Sequence, residues 1–142
     1  MVVVWVVVFI LVGFVVVRGL QQEGRIRSIG VSNFKSGTSR TNHRVDGGSY
    51  PAVNQIELHP RFQQEALRAV HGGRGVKTES WSPLGRGALL SDPVIVKLAA
   101  KLRKTSAQVI IRWHLESGLI VIPKSVHIDR LREKHWRGRL PS

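Results

Sequence analysis

Short apolar runs alternate along the chain with longer stretches in which apolar residues recur every three or four positions. The short runs predict β-strands at 25–31, 51–60, 76–81 and 119–122. Helical spacing follows the second strand over 62–70, and helix-starting signals occur at 92–93 and 105–108. Helices between strands of this length are typical of parallel α/β folds.

The same patterns predict which side chains face the core. In the second strand, alternation places Val53, Gln55, Glu57 and His59 on one face and Asn54, Ile56 and Leu58 on the other. The apolar stripe of the following helix consists of Phe62, Ala66, Leu67 and Val70. The buried stripe of the helix that starts at 92–93 consists of Val94, Ile95, Leu98, Ala99 and Leu102.

Residues 1–18 differ from the rest of the chain because they are almost purely apolar and dominated by valine. Three interpretations stay open. The run is at the lower limit for a bilayer-spanning helix, and Arg18 would suit a cytoplasmic flank, which gives a membrane anchor with contact through residues 2–17. The alternatives are a pair of buried strands and a sequence that was never selected for a structure.

Two further segments lack a pattern of apolar residues. The first, 36–49, is rich in glycine and serine, which disfavour helix, and the second, 135–142, is a basic tail. The predicted organisation is an apolar segment at 1–18, a globular part at 19–134 with an unpatterned insert at 36–49, and the tail at 135–142.

The composition excludes some kinds of site and favours others. The 142 residues include no cysteine, which excludes a disulfide framework and a thiolate metal site. The six histidines show no paired-ligand spacing, so no metal is predicted. The formal net charge of +13 favours polyanions and keeps a basic nucleic-acid-binding protein as an alternative. The basic residues are scattered, however, so no specific nucleic acid is expected.

The strand at 119–122 ends in residues that suit a phosphate monoester. Lys124 and Ser125 follow it after a proline, and Arg130 lies where a helix starting near His127 would return it toward the strand end. Lysine supplies a point charge, and arginine supplies a planar fork that binds two oxygens. The alternative is a buried strand with a solvated basic cap.

The strand at 76–81 ends in a second set of suitable residues. Trp81 could stack on a flat heterocycle, and the glycine-rich segment 82–87 would let backbone approach a pyrophosphate closely. The alternative is that Trp81 only packs in the core.

These motifs occur in the order and spacing of the aldo-keto reductase family, which the chain resembles from Gln22 to Phe34 and from Pro51 to Glu133. The motifs are Ser32-Asn33, Gln55, Trp81 with Ser82-Pro83-Leu84-Gly85, and Ile122-Pro123-Lys124-Ser125 with Arg130 and Glu133. The chain looks most like bacterial diketogluconate-reductase-type enzymes, which act on keto-sugars and simple aldehydes. The resemblance implies an α/β fold, the truncated C-terminal half of a (β/α)8 TIM barrel with about four parallel βα units.

The resemblance implies NADPH as the cofactor. Ser32, Asn33 and Gln55 match the family residues that bind the nicotinamide carboxamide, and Trp81 matches the aromatic residue that stacks on the ring. The loop that covers the pyrophosphate is matched by Ser82, Leu84 and Arg86. The other cofactor-binding residues implied are Ile122, Lys124, Ser125, Val126, Arg130 and Glu133, in the segment that binds the adenosine phosphate.

The resemblance implies no catalytic residue in this chain. The family's tyrosine acid and its lysine, aspartate and histidine partners belong to the first half of the barrel. The single tyrosine, Tyr50, lies beside the unpatterned insert, His59 is interpreted as structural, and Lys134 stands where the family has asparagine.

The resulting hypothesis is a cytoplasmic, NADPH-dependent oxidoreductase fragment of a family that reduces small carbonyl substrates. We do not expect the chain alone to reduce carbonyls at an enzyme's rate. The first alternative is a non-catalytic, membrane-anchored nucleotide-binding protein, and the second is the basic nucleic-acid-binding protein. Self-association would cover the open edges of a half barrel.

Overall fold

The structure, a computed structural model, describes residues 19–35 and 50–123. The predictions for 1–18, 36–49 and 124–142 lie outside the described residues. Among the described residues, no helix is long and apolar enough to cross a membrane.

The described elements follow the predicted order of strands and helices. They are α1 (described over 19–22), β1 (Gly30–Ser32), β2 (Val53–Glu57), α2 (Glu65–Gly73), β3 (Lys77–Trp81), a 3₁₀ segment (Gly85–Ser91), α3 (Pro93–Leu102), α4 (Ser106–Glu116) and β4 (Ile120–Val121). The described strands form a sheet in the order β1-β2-β3-β4. Strands β1 and β2 pair in parallel, with Gly30 opposite Val53 and Ser32 opposite Gln55. The predicted α/β class is therefore confirmed.

The described residues divide into two compact units. The first comprises 19–35, 50–56 and 64–79, and the second comprises 57–63 and 80–123.

The core of the first unit combines apolar and polar side chains. Its buried apolar residues are Ile29, Val31, Val53, Ile56, Leu67 and Val76. Asn54, His71 and Thr78 are buried among them. The predicted alternation in β2 holds from Asn54 onward, because Asn54 and Ile56 are buried whereas Gln55 and Glu57 are only half-buried. Val53, on the same face as Gln55, is buried as well.

Helix α2 is shorter than its apolar pattern predicted. It begins at Glu65, after Gln64 in the left-handed backbone conformation. Phe62 therefore lies before the helix, in a β-bridge with His59, and is 48% exposed. Leu67 is buried as predicted, whereas Ala66 is exposed.

The helices of the second unit start where the sequence predicted. The Asp92 carboxylate accepts hydrogen bonds from the backbone N–H groups of Val94 and Ile95 at the start of α3, and proline occupies the first turn. At the start of α4, Thr105 and Gln108 form the predicted capping box.

The predicted buried stripe of α3 is only partly correct. Ile95 and Ala99 are buried, but Val94 is 71% exposed and Leu98 is 39% exposed. Residues four apart lie on the same side of a helix. Ile95 and Ala99 lie on the side that faces the core, whereas Val94 and Leu98 lie on the neighbouring, exposed side. That core consists of Leu89, Ile95 and Ile110, with Leu84 packed against it.

Candidate functional site

The first group of candidate residues lies where β1 ends. The hydroxyl of Ser32 donates a hydrogen bond to the backbone carbonyl of Gln55, with an Oγ–O distance of 3.1 Å. The backbone N–H of Asn33 donates to the same carbonyl at 2.9 Å. Asn33 has a φ of 58°, in the left-handed region that asparagine tolerates better than most residues. The predicted carboxamide-binding residues are therefore brought together around one peptide group.

A carboxylate that the sequence analysis missed completes this group. The side-chain amide nitrogen of Gln55, Nε2, donates a hydrogen bond to Oε1 of Glu79 in β3. Both side chains are half-buried. A signal was present, since Glu79 lies two residues before Trp81 and therefore on the same face of β3. We call Ser32, Asn33, Gln55 and Glu79 the amide cluster.

Hydrogen bonds to the buried side chain of Asn54 support the turn that follows Ser32 and Asn33. Asn54 Nδ2 donates to the carbonyl of Phe34 at 2.8 Å, and the N–H of Phe34 donates to Asn54 Oδ1 at 3.3 Å. Asn54 Nδ2 also lies 3.0 Å from His71 Nε2, and His71 Nδ1 lies 2.8 Å from the hydroxyl of Thr78. Phe34, which follows Ser32 and Asn33, is thus hydrogen-bonded to the buried Asn54 of the first unit. No sequence pattern indicated this role for Asn54, His71 or Thr78.

The second group of candidate residues follows β3. Residues 82–87, which we call the glycine loop, contain an unusual number of left-handed conformations: φ is 49° at Ser82, 57° at Gly85, 54° at Arg86 and 95° at Gly87. A Cβ added to Gly85 would lie 2.9 Å from Leu89 Cγ, so a larger residue does not fit there without movement. Ser82 and Arg86 hold conformations that are costly for residues with a side chain.

The backbone of the glycine loop is partly closed on itself. The N–H of Gly85 donates to the carbonyl of Ser82 at 2.8 Å, and the N–H of Gly87 donates to the carbonyl of Leu84 at 3.0 Å. These two N–H groups are therefore engaged within the loop. The side chain of Arg86 is exposed. An anion beside this loop would thus meet the Arg86 cation.

The stretch from the glycine loop to Asp92 is anchored at both ends. Leu84 packs on the core of Leu89, Ile95 and Ile110. At the other end, Arg61 Nε donates to Asp92 Oδ2 at 2.6 Å.

This ion pair also changes the acidity of Asp92. The hydrogen bond from Arg61 holds the pKa of the Asp92 carboxyl below its usual value. Burial of the carboxyl opposes that effect, and hydrogen bonds from the backbone of Ile95 and Val94 add to it.

The remaining predicted residues lie at the end of β3 and at or beyond the end of β4. Ile122 is 50% exposed, and its N–H lies 3.5 Å from the carbonyl of Ser80. Trp81, at the end of β3, is half-buried, so it is not enclosed in the core. The other predicted phosphate-binding residues, Lys124, Ser125, Val126, Arg130 and Glu133, lie outside the described residues.

The amide cluster and the glycine loop offer groups suited to different kinds of ligand. Amide and hydroxyl groups in the amide cluster can hydrogen-bond a carboxamide, and Arg86 can bind a phosphate. Within 19–35 and 50–123, no group of three or more histidine or acidic side chains could hold a metal ion.

Comparisons with known proteins give one consistent result. The sequence model of the aldo/keto reductase family matches residues 10–135. An aldo-keto reductase of Mycolicibacterium smegmatis is 56% identical over 112 residues, which are 79% of this chain and 40% of that protein. The methylglyoxal reductase DkgA of Escherichia coli K12 is 48% identical over 126 residues, which are 85% of this chain and 45% of that protein.

Solved structures agree with these sequence relatives. The crystal structure of a Gox0644 point mutant in complex with NADPH is 53% identical and superimposes with a TM-score of 0.79, covering 85% of this chain and 44% of that chain. An aldo/keto reductase from Brucella melitensis has a TM-score of 0.76 at 46% identity, covering 87% of this chain and 47% of that chain. The chain therefore spans less than half the length of these relatives, as expected for about four units of an eight-unit barrel.

Proposed function

Because the chain belongs to the aldo/keto reductase family, we propose that it binds NADPH and contributes the cofactor-binding part of a carbonyl reductase. The substrate class that we propose is small aldehydes and keto-sugars, and the relative named methylglyoxal reductase supports it. The solved relative that contains NADPH supports the choice of cofactor.

The arrangement of Ser32, Asn33 and Gln55 is the observation that carries this proposal. The Ser32 hydroxyl and the Asn33 backbone N–H both donate to the Gln55 carbonyl, so two polar residues at the end of β1 and one in β2 are held in one place. A carboxamide has two hydrogen-bond donors and one acceptor. A hydroxyl and two side-chain amides supply both kinds of complementary group. We therefore assign the nicotinamide carboxamide to the amide cluster.

The glycine loop supports a second part of the proposal. Strained conformations at non-glycine residues concentrate at functional sites, and both Ser82 and Arg86 have them. We propose that Arg86 binds the pyrophosphate, with Ser82 and Leu84 shaping the loop around it, and that Trp81 stacks on the nicotinamide ring. Leu84 would hold the loop in place by packing on the core of the second unit rather than by contacting the pyrophosphate.

The third part of the proposal rests on the sequence. Lys124, Ser125 and Arg130 would bind the adenosine phosphate through charge-assisted hydrogen bonds, which are stronger than neutral ones. The flanking residues that we include in this segment are Ile122, Val126 and Glu133. This phosphate is what distinguishes NADPH from NADH, so these cations would set the cofactor preference.

The chemistry of the family requires one more group. When bound, NADPH supplies a hydride to a carbonyl carbon. Negative charge then develops on the carbonyl oxygen, and a general acid with a pKa near neutrality must donate a proton to it. We propose no catalytic residue in this chain. The residues named above bind and orient the cofactor, and proton donation falls to residues outside this set.

A fluorescence titration tests the proposal. The purified 142-residue chain is titrated with NADPH and separately with NADH while tryptophan emission is followed. We expect saturable quenching that prefers NADPH, and loss of that preference in Lys124→Ala/Arg130→Ala. Arg103→Ala/Lys104→Ala serves as the matched control, because it removes two neighbouring cations outside the proposed site. Absence of saturable quenching in a folded sample, or equal loss in the control, would contradict the proposal.

A further inference from the structure

The hydrogen bonds of the amide cluster fix which of its atoms can accept from a ligand. The hydroxyl hydrogen of Ser32 is directed to the Gln55 carbonyl, which only accepts. The Gln55 side-chain nitrogen donates to Glu79, and a carboxylate likewise only accepts. Besides the second hydrogen on the Gln55 nitrogen, the groups of Ser32 and Gln55 that are left over are acceptors, namely the lone pairs of Ser32 Oγ and the side-chain oxygen of Gln55.

These two acceptors share one face of the sheet. Ser32 and Gln55 are register partners in the parallel pair of β1 and β2, and side chains of register partners point to the same face. A ligand over this face meets oxygen lone pairs from both residues. An –NH2 group can donate a hydrogen bond to each of them, whereas a carboxylate has no hydrogen to donate and is repelled.

Glu79 decides the orientation of the Gln55 amide. A glutamine amide can turn about its last bond and exchange its oxygen and nitrogen at little cost when its neighbours do not distinguish them. The Glu79 carboxylate does distinguish them, because only the nitrogen end of Gln55 can donate to it. Without this carboxylate, either end of the amide could face the ligand.

We propose that Glu79 is a positioning residue that makes this site select a carboxamide over a carboxylate on the pyridine ring. This inference rests on the proposed function, and it assigns a specificity role to a side chain that does not itself contact the ligand. Glu79 acts through Gln55, by holding the amide oxygen toward the –NH2 group.

The test compares two dinucleotides that differ only in this group. NADP⁺ carries the carboxamide, and nicotinic acid adenine dinucleotide phosphate carries a carboxylate in its place. Both are titrated into the purified full chain, and the two dissociation constants are measured by tryptophan quenching. We expect the parent chain to prefer NADP⁺ by about tenfold or more, the effect of one or two well-formed hydrogen bonds.

The variant Glu79→Gln keeps the size of the side chain but can both donate and accept. We expect its preference for NADP⁺ to fall to about threefold or less, mostly through weaker NADP⁺ binding. Glu57→Gln is the matched control, because it also removes one carboxylate from a half-buried strand position. It should keep the parent's preference. Equal thermal unfolding temperatures of the two variants would show that folding is not the cause.

A second variant keeps the test decisive if Glu79→Gln does not fold. Gln55→Met removes the amide but keeps the length of the side chain, and it should weaken NADP⁺ binding without improving binding of the acid analogue. An undiminished preference in Glu79→Gln, or an equal loss in Glu57→Gln, would overturn the role of Glu79 while leaving the proposed function intact. A parent chain that binds neither dinucleotide would overturn both.

Discussion

The amide cluster and the glycine loop are built in opposite ways. In the amide cluster, the important groups are side chains that hydrogen-bond across strands, from Ser32 to Gln55 and from Gln55 to Glu79. In the glycine loop, the important feature is the path of the backbone, with φ between 49° and 95° at Ser82, Gly85, Arg86 and Gly87. One group is defined by what its side chains donate and accept, and the other by which residues fit its backbone.

This difference predicts different responses to mutation. Replacing a side chain in the amide cluster by one of equal size should alter recognition more than stability, because the strands remain paired. Adding atoms in the glycine loop should alter stability first, because the backbone conformation is not available to most residues. The following substitutions separate these two behaviours.

The largest loss of stability is expected for Gly85→Ala. The added Cβ would lie 2.9 Å from Leu89 Cγ, at a residue with a φ of 57°. We expect the free energy of unfolding to fall by about 2–3 kcal/mol, measured by urea denaturation.

Gly87→Ala is the matched control for that substitution. Its φ is 95°, but no atom lies within 4 Å of the added Cβ. The conformational penalty alone should then cost about 1 kcal/mol. Equal losses in the two variants would mean that the contact with Leu89 is unimportant.

A smaller loss is expected for Thr78→Val in the interior of the first unit. Valine has the shape of threonine but cannot bond to His71 Nδ1, which lies 2.8 Å from the Thr78 hydroxyl. Removing this hydrogen-bond partner of the buried His71 should lower the free energy of unfolding by about 1–2 kcal/mol. A double-mutant cycle with His71→Leu checks the cause, since additive losses would rule out a direct interaction between the two side chains.

Asp92→Asn should lower the free energy of unfolding still less at neutral pH. Asparagine remains a good helix cap for α3, and the lost partner, Arg61, is 65% exposed. The two proteins should differ in how strongly their free energy of unfolding depends on pH under acidic conditions.

The sign of that difference follows from the direction of the pKa shift. The pKa of Asp92 is lower in the folded protein, so its stabilising effect is complete above the unfolded pKa of about 3.9 and is lost as the pH falls through the folded pKa. Unfolding free energies measured from neutral pH into acid should therefore fall less steeply in Asp92→Asn than in the parent.

The sequence predicted local features well. The caps at Asp92 and Thr105 depend on residues within three positions of each other, and both are present as predicted. Alternation alone placed Gln55 and Asn54 on opposite faces of β2, and their different burial agrees with that.

Features that join distant parts of the chain were not predictable in the same way. Glu79 is 24 residues from Gln55, and Asp92 is 31 residues from Arg61, so the sequence did not indicate that the two members of either pair contact each other. The burial of Val94 and Leu98 in α3 was predicted wrongly because hydrophobicity does not reveal which side of a helix is covered.

The central claim is that the amide cluster and the glycine loop bind NADPH. Nuclear magnetic resonance tests it most directly, with the ¹⁵N-labelled full chain titrated with NADPH. We predict shifts of the backbone amides of Asn33 and Arg86 and of the Gln55 side-chain amide, saturating together with one dissociation constant. Shifts confined to exposed basic residues such as Lys97 and Lys101, reproduced by inorganic polyphosphate, would instead mean non-specific anion binding and would contradict the claim.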